Sequence, residues 1–276
     1  MPGTRHGAAV LGSPIGHSLS PVLHTAAYAA LELSDWHYRA IECDVGRLGA
    51  TLADLDAEGL AGVSLTMPLK RAVLPMLARC DRVAADVGAA NTVLFGGITG
   101  EWWGANTDVA GMVAALRAGG VVAVDSVCVL GGGATAASAL AALRELGAAA
   151  ATVYARRPAA VGELADAAGR LGVAITIEPF TAAAAVTEAA LVIATTPAGA
   201  TDDLADQLPD RVRGVLFDVV YAPWPTSLAA AWAARGGRVI GGLELLVAQA
   251  AEQVRLMTGA EPPVDAMRAA GAAALG

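Results

Sequence analysis

The sequence contains a single lysine. Of its 18 lysine and arginine residues, 17 are arginine, which leaves Lys70. Arginine keeps its proton in a protein, whereas lysine can lose it and changes its pKa readily when it is removed from water. A chain that uses arginine for nearly all of its positive charge therefore directs attention to Lys70 as a residue with proton chemistry.

An excess of positive charge is also absent. The 18 basic residues face 26 acidic ones, which gives a net charge of -8. A surface that binds nucleic-acid phosphates or anionic membranes needs a basic excess. We therefore expect neither nucleic acid nor a membrane as a partner and expect a small-molecule ligand instead; the sequence leaves a homodimer open.

Cysteine and histidine are scarce. Cys43, Cys80 and Cys128 are odd in number and form no CxxC pair, so we expect the reduced thiols of a cytoplasmic protein. The four histidines lie within the first forty residues without cysteine or acidic ligands at metal spacing, so we expect no metal site. No apolar segment of signal-peptide length precedes Pro14, and we expect no targeting sequence.

The uncharged run 126–143 is long enough to raise the question of a membrane helix. Three glycines, Gly131, Gly132 and Gly133, interrupt it after four strand-like residues, and an alanine-rich stretch follows. A strand, a turn and a helix over 138–146 explain the run better. The spacing is G-x-G-x-x-A, which is typical of a dinucleotide-binding turn that places a pyrophosphate at a helix N-terminus.

The hydrophobic pattern predicts an α/β fold throughout. In the first hundred residues we expect strands over 8–11, 36–43 and 62–66 and helices over 21–31 and 47–57. Ser20 is the expected N-cap of the first helix. In the second half we expect six strands of a doubly wound sheet, over 127–130, 152–155, 173–177, 191–194, 215–219 and 238–240. A helical pattern then ends at Gly259, and we expect it to pack back on the first domain.

The second strand of the dinucleotide motif ends in two cations. An NAD enzyme would place an acidic residue there to bind the ribose 2′-hydroxyl. This chain has Arg156 and Arg157 instead, which favour a 2′-phosphate. The predicted cofactor is therefore NADP.

Several motifs resemble those of the shikimate dehydrogenase family. They occur in the family's order over nearly the whole chain: GSPIGHSLSPVLH at 12–24, LTMPLK at 65–70, GAANT at 88–92, NTD at 106–108, DVVYAP at 218–223 and LLVAQA at 245–250. The resemblance implies reversible reduction of 3-dehydroshikimate to shikimate with NADPH, in the shikimate pathway of aromatic amino-acid biosynthesis. It also implies a substrate domain over 1–108, a Rossmann-type NADP-binding domain over 109–241 and C-terminal helices over 242–276.

The resemblance assigns roles to residues in both domains. Lys70 and Asp108 would be the catalytic pair. The substrate would contact these two and six neutral polar residues: Ser18, Ser20, Thr66, Asn91, Tyr221 and Gln249. The cofactor would contact Gly131, Gly132, Gly133, Ala134, Thr135, Arg156, Arg157, Thr196, Val219 and Gly242.

Elementary chemistry agrees with these roles. Neutral hydroxyls and amides suit a small polyhydroxylated ring. Hydride transfer at a carbinol carbon needs a group that gives or takes the hydroxyl proton, and lysine can do both. Asp108 would orient that amine; the local pattern also fits the N-cap of a helix over 109–116, and the two roles are compatible.

Some positions depart from the family's usual residues, and other activities stay open. Ser64 stands in place of Asn, and the remaining departures are Thr25, Val109, Ala155, Arg157, Ala194 and Glu244. A quinate/shikimate dehydrogenase, often NAD-dependent, and an amino-shikimate dehydrogenase are alternatives of the same superfamily. A non-catalytic regulator that binds NADP or shikimate is an alternative of another class.

Overall fold

The computed structural model describes residues 6–96 and 100–276. They form two compact units. The first contains the described residues up to Asp108 together with Val247–Gly276, and the second contains Val109–Leu246. The predicted C-terminal segment begins at Gly242, whereas the first unit resumes at Val247.

The first half of the chain alternates strands with short helices. In chain order the elements are β1 (Ala8–Gly12), α1 (Ser20–Ala30), β2 (Tyr38–Glu42), α2 (Leu48–Glu58), β3 (Gly62–Leu65), α3 (Leu69–Ala72), β4 (Arg79–Cys80), α4 (Arg82–Val87), β5 (Thr92–Leu94), β6 (Trp103–Ala105) and α5 (Thr107–Ala118).

Strands β1 to β6 form one mixed sheet in the order β2-β1-β3-β5-β6-β4. The strand β1 is parallel to both β2 and β3, whereas β5 is antiparallel to β3 and to β6. Side chains alternate between the faces of a strand, and both faces of β1 are covered. Ala9 and Leu11 belong to one core cluster with α2, and Ala8 and Val10 belong to another with Tyr28 of α1.

The second unit continues the alternation. Its elements are β7 (Val127–Leu130), α6 (Ala134–Glu145), β8 (Ala150–Ala155), α7 (Gly162–Leu171), β9 (Ala174–Pro179), β10 (Leu191–Ala194), α8 (Asp202–Asp206), β11 (Val215–Asp218), α9 (Ser227–Ala234) and β12 (Arg238–Ile240). Two helices end the chain, α10 (Gly242–Thr258) and α11 (Val264–Leu275), and α11 packs along α1.

The second sheet has six parallel strands in the order β12-β11-β10-β7-β8-β9. Counted from β7 as the first strand, this is the 3-2-1-4-5-6 order of a doubly wound Rossmann sheet. All residues of β7, β10 and β11 are buried, as expected for central strands covered by helices on both faces. The predicted α/β fold class with a Rossmann-type unit is confirmed. Among the described residues, no helix is long and apolar enough to cross a membrane.

Two expected helix starts are wrong. Ser20 does not cap α1, because the helix already begins there and Leu19 occupies the cap position without a side-chain hydrogen bond. The helix after the glycine turn begins at Ala134 rather than at Ser138, with Gly133 as its N-cap. Alanine is the best helix former, so residues 134–137 continue the helix towards the glycines.

Candidate active site

Three chain segments meet at one edge of the first sheet. Because β5 is antiparallel to β3, Asn91, which precedes β5, lies beside the end of β3. The N–H of Leu65 donates to the Asn91 carbonyl over 2.8 Å. The strand β6 is antiparallel to β5 in turn, and the Asn91 N–H donates to the carbonyl of its last residue, Ala105, over 3.0 Å. The segments that follow β3 and β6 therefore start side by side.

Lys70 and Asp108 form an ion pair at this edge. Lys70 lies in α3, shortly after β3, and Asp108 lies in the first turn of α5, shortly after β6. Lys70 Nζ donates to Asp108 Oδ2 over 2.6 Å, and the two side chains are 15% and 6% exposed. Because water and salt have little access, the attraction is stronger than that of a surface pair. The arrangement holds a primary amine in a fixed position.

The side chain of Asn91 holds the second oxygen of that carboxylate. Its Nδ2 donates to Asp108 Oδ1 over 2.8 Å, and its Oδ1 accepts from the backbone N–H of Thr107 over 2.8 Å. A carboxylate only accepts and a backbone N–H only donates, so these contacts determine which way the amide is turned. Gln249 of α10 adds an Oε1 acceptor 3.4 Å from Asn91 Nδ2. The structure thus joins Lys70, Asn91, Asp108 and Gln249 in one cluster.

The N-cap of α5 is Asn106, so the alternative reading of Asp108 as the cap is wrong. Asp108 lies inside the first helical turn, and its N–H donates to Asn106 Oδ1 over 3.1 Å. Asn106 Nδ2 donates in turn to the Ala89 carbonyl over 2.8 Å. Since the side chain of Asn106 accepts from the backbone N–H of Asp108, the carboxylate of Asp108 is available to bind Lys70 and Asn91.

Ser18, Ser20 and Thr66 follow the two neighbouring parallel strands of the same sheet. The loop after β1 carries Ser18, whose Oγ accepts from the Ser20 N–H over 3.3 Å. Thr66 follows β3 directly. A Cβ at Gly12 would lie 2.3 Å from Thr66 Cγ2, so the close approach of these two segments requires a glycine. Tyr221 belongs to the second unit.

One polar residue of the cluster escaped the sequence predictions. Gln253 is 1% exposed and binds the same segment as Gln249, since its Nε2 donates to Thr92 Oγ1 over 3.1 Å. Its Oε1 accepts from Ser64 Oγ over 2.8 Å. Residues four apart on a helix share a face. The spacing of Gln249 and Gln253 is therefore the signal that marks both.

His24 is a buried neutral histidine next to this region. Its ring stacks on Tyr38 with 3.9 Å between centroids, and its Nδ1 lies 2.9 Å from the Ser20 carbonyl. A carbonyl only accepts, so Nδ1 carries the proton and donates it. Burial lowers the pKa of His24 from 6.5 to about 4, although the hydrogen bond to Ser20 partly offsets this effect.

This depressed pKa predicts an acid-dependent loss of stability. Unfolded His24 binds a proton below pH 6.5, whereas the native side chain resists protonation until about pH 4. The contribution of His24 to the free energy of unfolding is therefore fully present above pH 6.5, and it falls as the pH drops towards 4. We expect His24 to contribute a loss of about 2 kcal/mol between about pH 7.5 and about pH 5.

Urea unfolding at the two pH values measures this loss. A His24→Gln variant keeps a donor for the Ser20 carbonyl but does not titrate, so it serves as the control that removes the contribution of all other groups. An equal pH dependence in the two proteins would contradict the buried neutral state of His24.

A second candidate site lies at the carboxyl ends of the second sheet. Gly131 follows β7 with φ +115°, a conformation that favours glycine. A Cβ at Gly131 would lie 2.5 Å from Thr195 Oγ1, which itself donates to the Leu130 carbonyl over 2.8 Å. By contrast, no atom lies within 4 Å of a Cβ at Gly133. The turn therefore has no room for a side chain at Gly131, whereas the space beside Gly133 is open.

The open glycine leads into a helix that can bind an anion. Gly133 caps α6 without a side-chain hydrogen bond, and Ala134 and Thr135 form the first turn. Backbone N–H groups of a first turn lack partners within the helix and carry partial positive charge. This combination fits the pyrophosphate of a dinucleotide.

The remaining predicted cofactor residues follow strands β8, β10, β11 and β12 of the same sheet. Arg156 and Arg157 are exposed directly after β8, and Thr196 follows β10 on the other side of β7. The order of strands reverses at β7, and ligands of open α/β sheets bind at such a switch point. At the end of β11, a Cβ at Gly242 would lie 2.2 Å from the Val219 carbonyl oxygen, so these two residues are in contact.

A buried carboxylate holds the loop that carries Val219 and Tyr221. Asp218 Oδ1 accepts from the Val220 N–H over 3.1 Å, and Oδ2 accepts from Thr226 Oγ1 over 2.7 Å. Burial raises the pKa of Asp218, although these two hydrogen bonds oppose the shift. Thr226 also caps α9, so loop and helix are fixed together.

Nothing in the described ranges groups three metal-ligating side chains closely enough to hold an ion.

Comparison with known proteins identifies three matching families, and these cover most of the two units. The shikimate dehydrogenase substrate-binding domain matches residues 10–93, the shikimate 5′-dehydrogenase C-terminal domain matches 242–270, and the coenzyme F420-dependent NADP oxidoreductase family matches 126–220.

Similar proteins match over nearly their whole length. The shikimate dehydrogenase (NADP(+)) of Citrifermentans bemidjiense is 38% identical over 97% of this chain and 95% of its own. The crystal structure of Mycobacterium tuberculosis shikimate dehydrogenase is 42% identical, with a TM-score of 0.86 over 97% of this chain and 99% of its own. The Thermus thermophilus shikimate 5-dehydrogenase, solved in complex with NADP(H) and shikimate, is 33% identical, with a TM-score of 0.84 over 98% of this chain and 100% of its own. The chain therefore belongs to the shikimate dehydrogenase family.

Proposed function

We propose that this protein is a shikimate dehydrogenase that reversibly reduces 3-dehydroshikimate to shikimate with NADPH. The observation that carries this proposal is the sheltered Lys70–Asp108 pair, with 2.6 Å between Nζ and Oδ2, within a cluster of neutral amides and hydroxyls. Such a cluster offers donors and acceptors to ring hydroxyls and one mobile proton. The family's activity requires both.

Lys70 performs the proton transfer. As the carbonyl oxygen of 3-dehydroshikimate gains electron density, the Lys70 ammonium gives it a proton and the product hydroxyl forms. In the reverse direction the neutral amine takes the proton from that hydroxyl. Asp108 accepts a hydrogen bond from Nζ and from Asn91, which keeps the amine in place through both steps. Arginine could bind the oxygen but could not act as the base.

The second unit supplies the groups that would hold NADP. When bound, the cofactor supplies or accepts the hydride. The open space around Gly133 and the start of α6, which has no side-chain cap, fit a pyrophosphate. Arg156 and Arg157 would bind the 2′-phosphate, because they are exposed cations at the strand end where NAD enzymes carry an acidic residue.

Removal of one of these cations gives a cofactor-specific prediction. We expect Arg156→Ala to raise the KM for NADP at least about tenfold, because a charge-assisted hydrogen bond contributes about 1.5 to 3 kcal/mol. The KM for NAD, which lacks the phosphate, should stay nearly constant. Steady-state kinetics with both cofactors measure the ratio, and Arg211→Ala, an exposed arginine of the same unit, is the control. An equal rise for NADP and NAD would refute the 2′-phosphate assignment.

The activity itself is tested by nicotinamide absorbance with shikimate and quinate, each combined with NADP and NAD. We expect the highest kcat/KM for shikimate with NADP. A higher value for quinate with NAD would overturn the proposal, and no turnover by folded protein would leave a binding function.

We also propose a cytoplasmic location, supported by the free thiols of Cys43, Cys80 and Cys128.

A further inference from the structure

A buried chain of hydrogen bonds leads from Tyr38 to the carboxylate of Asp108. Its distances are 2.7 Å from Tyr38 OH to Ser64 Oγ, 2.8 Å from Ser64 Oγ to Gln253 Oε1, 3.1 Å from Gln253 Nε2 to Thr92 Oγ1, 3.0 Å from Thr92 Oγ1 to Asn91 Oδ1 and 2.8 Å from Asn91 Nδ2 to Asp108 Oδ1. All of these residues belong to the first unit.

The chemistry of Gln253 fixes the donors in the outer half of this chain. Its Nε2 lies 3.4 Å from the backbone carbonyl of Asn91, which can only accept. The other end of the amide, Oε1, therefore faces Ser64, and the Ser64 hydroxyl must donate to it. Since that proton is used, Ser64 can only accept from Tyr38.

The inner half follows in the same way. An amide nitrogen has no lone pair to offer, so Thr92 Oγ1 accepts from Gln253 and its own proton points to Asn91 Oδ1. Asn91 then donates to Asp108. Every group in the chain donates towards Asp108, and aligned hydrogen bonds of this kind polarise and strengthen one another.

Gln253 is the junction of the chain. It is 1% exposed, and Thr92 and Ser64 beside it are 0% and 4% exposed, so water does not replace a missing partner there. Gln253 also donates towards both the backbone of Asn91 and its neighbour Thr92. The hydroxyl of Ser64 also accepts from Tyr38 OH, which extends the chain to β2.

We propose that Gln253 is a positioning residue for the proton transfer between Lys70 and the substrate. Through Thr92 it fixes the amide of Asn91, and Asn91 fixes the carboxylate that holds the Lys70 amine. The role rests on the proposed function, because the proton transfer belongs to that reaction. Gln253 itself touches neither Lys70 nor Asp108 in the chain of hydrogen bonds.

The test separates positioning from simple stability. We expect Gln253→Met, similar in size but without donor or acceptor, to lower kcat with shikimate about tenfold, the effect of one or two weakened hydrogen bonds. The KM for NADP should not change. Thr92→Val removes the donor to Asn91 at nearly constant shape and should lower kcat similarly, whereas Thr92→Ser keeps the hydroxyl and should restore it.

A signal independent of turnover completes the experiment. The side-chain amide protons of Asn91, observed by ¹⁵N NMR, should shift in Gln253→Met and Thr92→Val but not in Thr92→Ser. Wild-type kcat together with unshifted Asn91 signals in folded Gln253→Met or Thr92→Val would overturn the proposal. If Gln253→Met does not fold, the Val and Ser variants of Thr92 decide it. A wild-type protein without shikimate turnover would refute the proposed function, while the Asn91 signals would still report the positioning.

Discussion

Lys70→Arg should lose at least about a hundredfold in kcat while shikimate still binds. A positioned general acid or base contributes about 10² to 10⁴ to a rate. Arginine keeps the positive charge and can pair with Asp108, so the ion pair and the substrate contact survive. It cannot give up a proton at neutral pH, so the reaction loses its acid and base. Stopped-flow or steady-state rates give kcat, and isothermal titration calorimetry gives the Kd for shikimate.

The reverse exchange at the surface is the matched control. Arg79 forms an exposed pair with Glu101, with 3.6 Å between nitrogen and oxygen, so Arg79→Lys should leave kcat unchanged. Near-normal turnover in Lys70→Arg would show that the amine supplies charge only. Loss of shikimate binding together with turnover would instead show that the pair had collapsed.

Gly131→Ala should reduce the free energy of unfolding by about 3 kcal/mol or more. The left-handed region costs a non-glycine residue about 1 to 3 kcal/mol. A Cβ would also lie 2.5 Å from Thr195 Oγ1, so the loop after β10 would have to move. We expect a loss of NADP affinity as well, since the glycine turn and the loop after β10 both carry predicted cofactor residues. Urea unfolding measures the first effect and fluorescence titration with NADPH the second.

Two other glycines separate these effects. At Gly133 the backbone is extended and no atom lies within 4 Å of an added Cβ, so Gly133→Ala should leave stability nearly unchanged and weaken NADP binding only. Gly169 lies exposed inside α7 with open space around it, so Gly169→Ala should stabilise the protein by about 1 kcal/mol. A Gly131→Ala protein as stable as the wild type would contradict the tight turn.

Short apolar runs made the six parallel strands predictable, and the residues of the three central strands, β7, β10 and β11, are all buried. The strands β4 to β6 were not predicted. They have two or three residues each, too few to show a period of two, and neighbouring strands rather than their own sequence place them. The start of α1 shows a similar limit, because Ser20 has the residue type of a cap but lies one position inside the helix.

The pairing of Lys70 with Asp108 was proposed from the resemblance, and the structure shows what holds the two together. Asn106 supplies the helix cap that the sequence alone could equally give to Asp108. The four-residue spacing places Gln253 on the same helix face as Gln249, but local pattern could not identify its partners, because Ser64 and Thr92 lie 189 and 161 residues away in the chain. A buried glutamine on an apolar helix face shows only that some partner exists.

The sheltered pair of Lys70 and Asp108 gives this protein a single lysine target for amine chemistry. Lys70 is the one side-chain amine in the sequence, and it is 15% exposed. Reductive methylation with ¹³C-formaldehyde therefore labels one lysine side chain, at the atom that pairs with the carboxylate. Each amine takes up two methyl groups, and NMR separates the Lys70 dimethylamine signal from that of the α-amino group of the chain. A bound ligand that covers the amine slows the labelling, so the reaction rate reports occupancy of the site without any measurement of turnover.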